Sequence, residues 1–216
     1  MPGAVDELSE LERDALTELV NIAVSGAASR LRAMVGSEVT LKVPVVEVHS
    51  ADAAVSSLLA FAGEALTVVR QDFAGRIEGQ TMLLLSPVDG QVLARAVLGN
   101  ELAEPDYADL QDDALGEVGN VLLLGLLSTI GSMLGITFQV AIPTVAALDP
   151  GEIFPRGDEQ VVVLIHVDFS VRQINARGYF AVVLGLGGFA ALREILRAFL
   201  ADILDADAVH ATPALG

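Results

Sequence analysis

Residues 14–48, DALTELVNIAVSGAASRLRAMVGSEVTLKVPVVEV, lie without a gap over residues 113–147, DALGEVGNVLLLGLLSTIGSMLGITFQVAIPTVAA. Asp14, Glu18, Asn21, Gly36 and Pro44 fall on Asp113, Glu117, Asn120, Gly135 and Pro143, an offset of 99 residues. The same offset returns at 79–86 over 178–185 and at 92–98 over 191–197, and it drifts by three around Phe73 and Phe169, where a turn changes length. A duplication of this extent constrains the fold more than any composition can, because both halves must follow one supersecondary plan. The chain reads as a single domain over 1–216 made of two repeats, about 6–100 and 107–204, with 205–216 a flexible tail.

The shared plan is α and β mixed. Each half starts with a long helix (about 6–35 and 107–134) stopped by Gly36 or Gly135, glycine being the residue that closes helices in a left-handed conformation. An alternating strand follows, Val39-Leu41-Val43 or Ile136-Phe138-Val140, and ends at the proline. Strands over 65–73 with 80–86, and 160–169 with 178–185, come next. Ser86-Pro87 opens a helix to about Leu98, with LGGFAALREILRAFLADIL as its counterpart, and ELAEPDY (101–107) reads as the linker between halves.

The repeat also decides a membrane question. From Val118 to Leu148 no residue is charged, and roughly 20 apolar residues suffice to cross a bilayer. The first copy carries Arg30, Arg32, Glu38 and Lys42 over the corresponding stretch, so the element is water-compatible and its second copy is expected to be a more deeply buried version. The acidic N-terminus has no signal-peptide pattern, and the expectation is a cytoplasmic protein without membrane insertion. A net charge of −17 with no basic patch argues against nucleic acid as a partner. There is no Cys, and His49, His166 and His210 are scattered, so neither a thiolate site nor an all-His metal site is expected. Gly185-Leu186-Gly187-Gly188 between strand and helix lacks the spacing and the lysine of a phosphate loop and reads as a turn.

What remains is a constellation. At about 100° per residue, Asp14, Glu18 and Asn21 form one stripe on their helix, and Asp113, Glu117 and Asn120 repeat it. Leu8, Leu11, Ala15, Leu19, Ile22 and Gly26 cluster on a neighbouring side and are expected to be the buried face. Asparagine competes with the backbone in mid-helix, so its reuse at one position calls for a reason beyond folding.

The doubled D-x3-E-x2-N-x22-P resembles the motif of the CheC, CheX and FliY phosphatases, over about residues 8–200. Two motifs in a chain of this length resemble CheC in particular, since CheX typically has one and FliY carries an additional switch-protein domain. One departure is Val20, where the family usually has Gly before Asn; the second copy keeps Gly119. The resemblance implies two intertwined halves sharing a central sheet, with the motif helices on one face and a pseudo-twofold between them. It implies hydrolysis of the aspartyl-phosphate of a phosphorylated CheY-type response regulator. Asn21 and Asn120 would position the attacking water, and Glu18 and Glu117 would pair with the regulator's lysine. Asp14 and Asp113 would support the motif, and Pro44 and Pro143 would be structural. The chain would need no cofactor of its own, Mg²⁺ being supplied by the regulator, and CheD is an implied further partner. The alternative is a non-catalytic adaptor that binds the receiver, CheD or the motor switch. If only one site works, Glu117/Asn120 is favoured, because that copy keeps Gly119.

Overall fold

The computed structural model describes residues 8–43, 45–62, 65–99, 104–154, 160–171 and 174–210. Helix α1 (Glu10–Val35) opens with a capping box: the Glu12 N–H donates to the Ser9 hydroxyl, and the Ser9 N–H donates to the Glu12 carboxylate. It closes at Gly36, with φ 61°, and the longer α4 (Glu104–Leu134) is followed by Gly135 at φ 66°. Both are left-handed values that glycine adopts without steric cost. After α1 come β1 (Val39–Lys42), β2 (Val46–Ser50) and α2 (Ala51–Ala62); after α4 come β5 (Phe138–Val140), β6 (Thr144–Leu148) and the single turn α5 (Pro150–Ile153). Each half then forms an antiparallel hairpin, β3 (Leu66–Gly75) with β4 (Gly79–Leu85), or β7 (Gln160–Val171) with β8 (Ile174–Gly185). The copies end in α3 (Pro87–Leu98) and α6 (Leu186–His210).

The eight strands make one antiparallel sheet in the order β1-β7-β8-β4-β3-β5, with β2 also on β7 and β6 also on β3. Each hairpin is thus bordered by the first strands of the other half. At the centre Met82 pairs with Ala181, the residue 99 positions on, and the register steps away evenly to Gly79–Leu184 and Leu85–Gly178. The pseudo-twofold therefore passes through the Met82–Ala181 pair. At the edges Leu41 pairs with Phe169 as Val140 pairs with Phe73, and Val46 with Ile165 as Val145 with Val69, so β7 matches β3 at an offset of 96.

Helices α1, α3, α4 and α6 cover one face of this sheet, over Val69, Leu83, Val163, Ile165, Val167 and Phe180; α2 and α5 cover the other, over Val68, Met82, Leu84, Val162 and Leu164. The uncharged segment lies here: Leu110–Leu134 of α4 has a mean hydropathy of 1.5 with 56% of its most apolar stretch buried, packed on α1, α3 and the sheet. Its buried side chains, Leu115, Val118, Leu122, Leu123, Leu126 and Leu127 among them, belong to the core, while Leu110 and Leu124 stay exposed.

Several expectations are corrected. α4 begins at Glu104, inside the stretch read as a linker, and α6 continues to His210 past Asp205, where a tail was expected; residues 211–216 lie outside the described residues, as does Pro44. Strands β2 and β6 and helices α2 and α5 were not anticipated. The buried face of α1 is Leu16, Leu19, Val20, Ala23, Val24, Ala27, Ala28 and Leu31, while Leu11 is 53% and Ile22 41% exposed. Apart from Ala28, two turns beyond Asn21, that face lies opposite the Asp14 stripe, because α4 packs across it.

The centre of the sheet tolerates no side chain at two twin positions. A Cβ on Gly178 would stand 2.7 Å from the Leu84 carbonyl oxygen and 2.6 Å from Leu85 Cδ2, and one on Gly79 would overlap the Val183 carbonyl oxygen. Gly178→Ala is expected to lower unfolding free energy by about 2 kcal/mol, the scale of overpacking a dense interior. Chemical denaturation with a wild-type midpoint would contradict this.

Candidate functional site

The helix–sheet arrangement turns both polar stripes outward. Asp14, Glu18 and Asn21 are exposed on α1; Asp113 and Glu117 are exposed on α4, and Asn120 is half-buried. Among the described residues neither Glu18 nor Glu117 has an ion-pair partner, and no group of three or more His, Asp or Glu is placed to hold a metal ion. Leu11 and Ile22 flank the first stripe, Leu110 and Leu124 the second, all at least 38% exposed. Each carboxylate–amide pair thus sits on a convex helix face bordered by apolar side chains.

The two copies differ beneath that surface. Gly119 lies against β3: an added Cβ would overlap Val69 Cγ1 and stand 2.9 Å from Val69 Cβ. This close approach lets Asn120 reach the sheet, where Gln71 Nε2 donates to Asn120 Oδ1 at 2.9 Å and to the Ala141 carbonyl oxygen at 3.1 Å. Ala141 begins the turn that carries Ile142, 89% exposed, and the motif residue Pro143. One buried glutamine therefore joins the asparagine and the proline loop of the second motif.

The first copy has no such link. Val20 replaces the glycine, is 1% exposed, and lines an apolar cavity with Leu16, Phe73, Leu127, Phe138 and Ile165. Val167, at the 96-residue offset, takes the place of Gln71 and is fully buried. The Asn21 side chain makes no hydrogen bond among the described residues. Sequence reading missed Gln71, although the signal was present: it faces the core in a strand whose second copy reads Ile165, Val167, Phe169.

No family model matches the chain. FliY of Bacillus subtilis strain 168, described as a flagellar motor switch phosphatase, is 22% identical over 173 residues, or 78% of this chain and 44% of that protein. The chain thus spans less than half the length of that relative. FliY of Thermotoga maritima superposes with a TM-score of 0.68 at 22% identity, over 90% of this chain and 98% of that one. The FliM middle domain of H. pylori does so with a TM-score of 0.58 at 11% identity, over 87% of this chain and 99% of that one, and a chain of the H. pylori FliG–FliM complex with a TM-score of 0.57 at 9% identity, over 87% of this chain and 100% of that one. Its fold is theirs, and the doubled Asp-Glu-Asn stripe lies on α1 and α4 of that fold. In fold the chain matches FliY, and in motif it resembles the CheC-like proteins.

Proposed function

We propose that the chain accelerates hydrolysis of the aspartyl-phosphate on a CheY-type receiver domain. The observation that carries this reading is the outward pairing of Glu18 with Asn21 and of Glu117 with Asn120, with neither carboxylate neutralised among the described residues. Hydrolysis of an acyl phosphate needs a water held in line with the departing carboxylate, together with cations on the phosphoryl oxygens. Asparagine offers a donor and an acceptor without titrating, so it can orient that water across the physiological pH range. Glu18 and Glu117 supply a negative partner for the receiver's lysine and fix the docking register. Mg²⁺ would arrive with the receiver.

A second reading rests on the fold shared with the FliM middle domain and with a chain of the FliG–FliM complex, and on the apolar borders of both stripes: the chain is an adaptor for a receiver, CheD or a motor component. The decay of a phosphorylated receiver, followed with and without the protein, separates the two. Wild type is expected to accelerate it, and Asn21→Ala/Asn120→Ala to lose that acceleration about a hundredfold, as misplacing a reacting group does. Equal decay with and without wild type would sink the phosphatase reading, and receiver capture that survives the double substitution would support the adaptor.

A further inference from the structure

We infer that Gln71 is a positioning residue for Asn120, so that the second motif is ordered before docking and the first is not. The inference rests on the phosphatase reading and deepens it.

The orientation of this amide pair follows from chemistry. A backbone carbonyl can only accept, so the Gln71 end facing Ala141 O must be its NH₂ group. The same NH₂ faces Asn120, which must then present Oδ1. Neither side chain can flip without losing a bond, and the ambiguity that usually attends amide assignments is removed. Asn120 keeps both Nδ2 hydrogens and one Oδ1 lone pair for a water outside the helix. It reaches a partner with its rotamer already selected. Asn21, exposed and unheld, must lose that freedom on docking.

Gln71 also sits poorly as a purely structural residue. It is 1% exposed, its Oε1 has no hydrogen-bond partner in the protein, and Thr81 Oγ1, on the residue opposite it in β4, has none either. The twin half fills the corresponding position with Val167, which buries no polar atom. Keeping an incompletely satisfied amide where an apolar residue packs equally well works against folding. What it gains is a fixed Asn120 and, through Ala141, a fixed Ile142–Pro143 turn beside it.

Gln71→Met keeps the length and packing of the side chain and removes the donor. In an Asn21→Ala background, which isolates the second motif, single-turnover decay of a receiver phosphorylated on aspartate should slow about tenfold at saturating protein. The concentration for half-saturation should change little. Combined with Asn120→Ala, Gln71→Met should have no further effect, and the melting temperature should hold or rise. A loss of equal size whether or not Asn120 is present, or one that tracks a fall in melting temperature, would overturn the positioning role. An Asn21→Ala parent that fails to accelerate decay, when wild type fails too, overturns the phosphatase reading. An active parent that Gln71→Met leaves unchanged overturns only the role of Gln71.

Discussion

Gly119→Val, which copies into the second motif the residue that the first already carries, is expected to destabilise the fold by about 3 kcal/mol, the upper part of the overpacking range. The added side chain would meet Val69 on β3, whose Cβ stands 2.9 Å from the new Cβ and whose Cγ1 would overlap it. α4 has little room to retreat, since it packs on α1, α3, α6 and strands β3, β4, β5 and β6. Any shift that relieves Val69 also draws Asn120 from Gln71, so loss of stability and loss of the second site should appear together. The converse substitution tests the asymmetry. Val20→Gly removes a buried side chain at the rim of an apolar cavity and puts glycine in mid-helix, so it too should destabilise, by about 2 kcal/mol. Denaturant midpoints of the two variants measure both effects. Wild-type stability in Gly119→Val would mean that α4 does not lie flush on β3.

That asymmetry changes the meaning of the departure at Val20. From sequence alone, Val20 is a departure from the glycine that usually precedes the asparagine of the motif it resembles. In the fold its side chain points away from the stripe, into the core between α1, α4 and the sheet. The substitution does not obstruct Asn21; the site there is left without a floor that could hold it.

The elements most legible in the sequence were those set by local chemistry. Gly36 and Gly135 end their helices, Ser86-Pro87 starts α3 with the Ser86 hydroxyl accepting from the Asp89 N–H, and both hairpins fall on the segments read as paired strands, with β8 starting four residues earlier. What failed was set by tertiary packing. On α1 Leu11 and Ile22 suggested one face, but the helix buries another, in which Ala23, Ala27 and Ala28 lie among Leu16, Leu19, Val20, Val24 and Leu31. Small residues are buried there because α4 comes close, with an added Cβ on Gly125 only 3.3 Å from Ala27 Cα and one on Gly26 only 3.2 Å from Thr129 Oγ1. Size-weighted periodicity cannot see a partner helix. Strands β2 and β6 were obscure for a similar reason, their identity being fixed by pairing to β7 and β3 from the other half. Of the motif, the residue types and spacing were legible, while the tether beneath Asn120 needed two elements 49 residues apart.

Glu12→Ala is expected to lower stability at neutral pH by about 3 kcal/mol, because it removes a buried carboxylate that works in two places at once. Glu12 is 2% exposed; its Oε2 accepts from the Ser9 N–H at 2.7 Å, and its Oε1 accepts from Arg197 Nε at 2.6 Å. Arg193 Nη2 lies 3.6 Å from Oε2. The carboxylate thereby caps α1 and clamps it to α6. The second motif helix has no copy of this clamp, Gln111 standing at the position of Glu12, and Leu98 and Ala94 at those of Arg197 and Arg193. Burial pushes the Glu12 carboxyl upward, but the Ser9 N–H, Arg197, the Ser9 hydroxyl and Arg193 together outweigh it, and the group is held below the ordinary 4.5. A carboxyl depressed in the folded state stabilises above its unfolded pKa, and that contribution is lost as pH falls through the folded value. Glu12→Gln, which keeps the shape and a neutral acceptor, should therefore fall short of wild type at pH 7 and approach it in acid. Arg197→Ala should cost less than about 1 kcal/mol, since that side chain is 59% exposed and Arg193 stays beside the carboxylate. Denaturation of the three variants between neutral pH and about pH 3 reads the clamp directly. A gap between wild type and Glu12→Gln that stays constant over that range would mean that the cap, and not the charge, joins α1 to the rest of the fold.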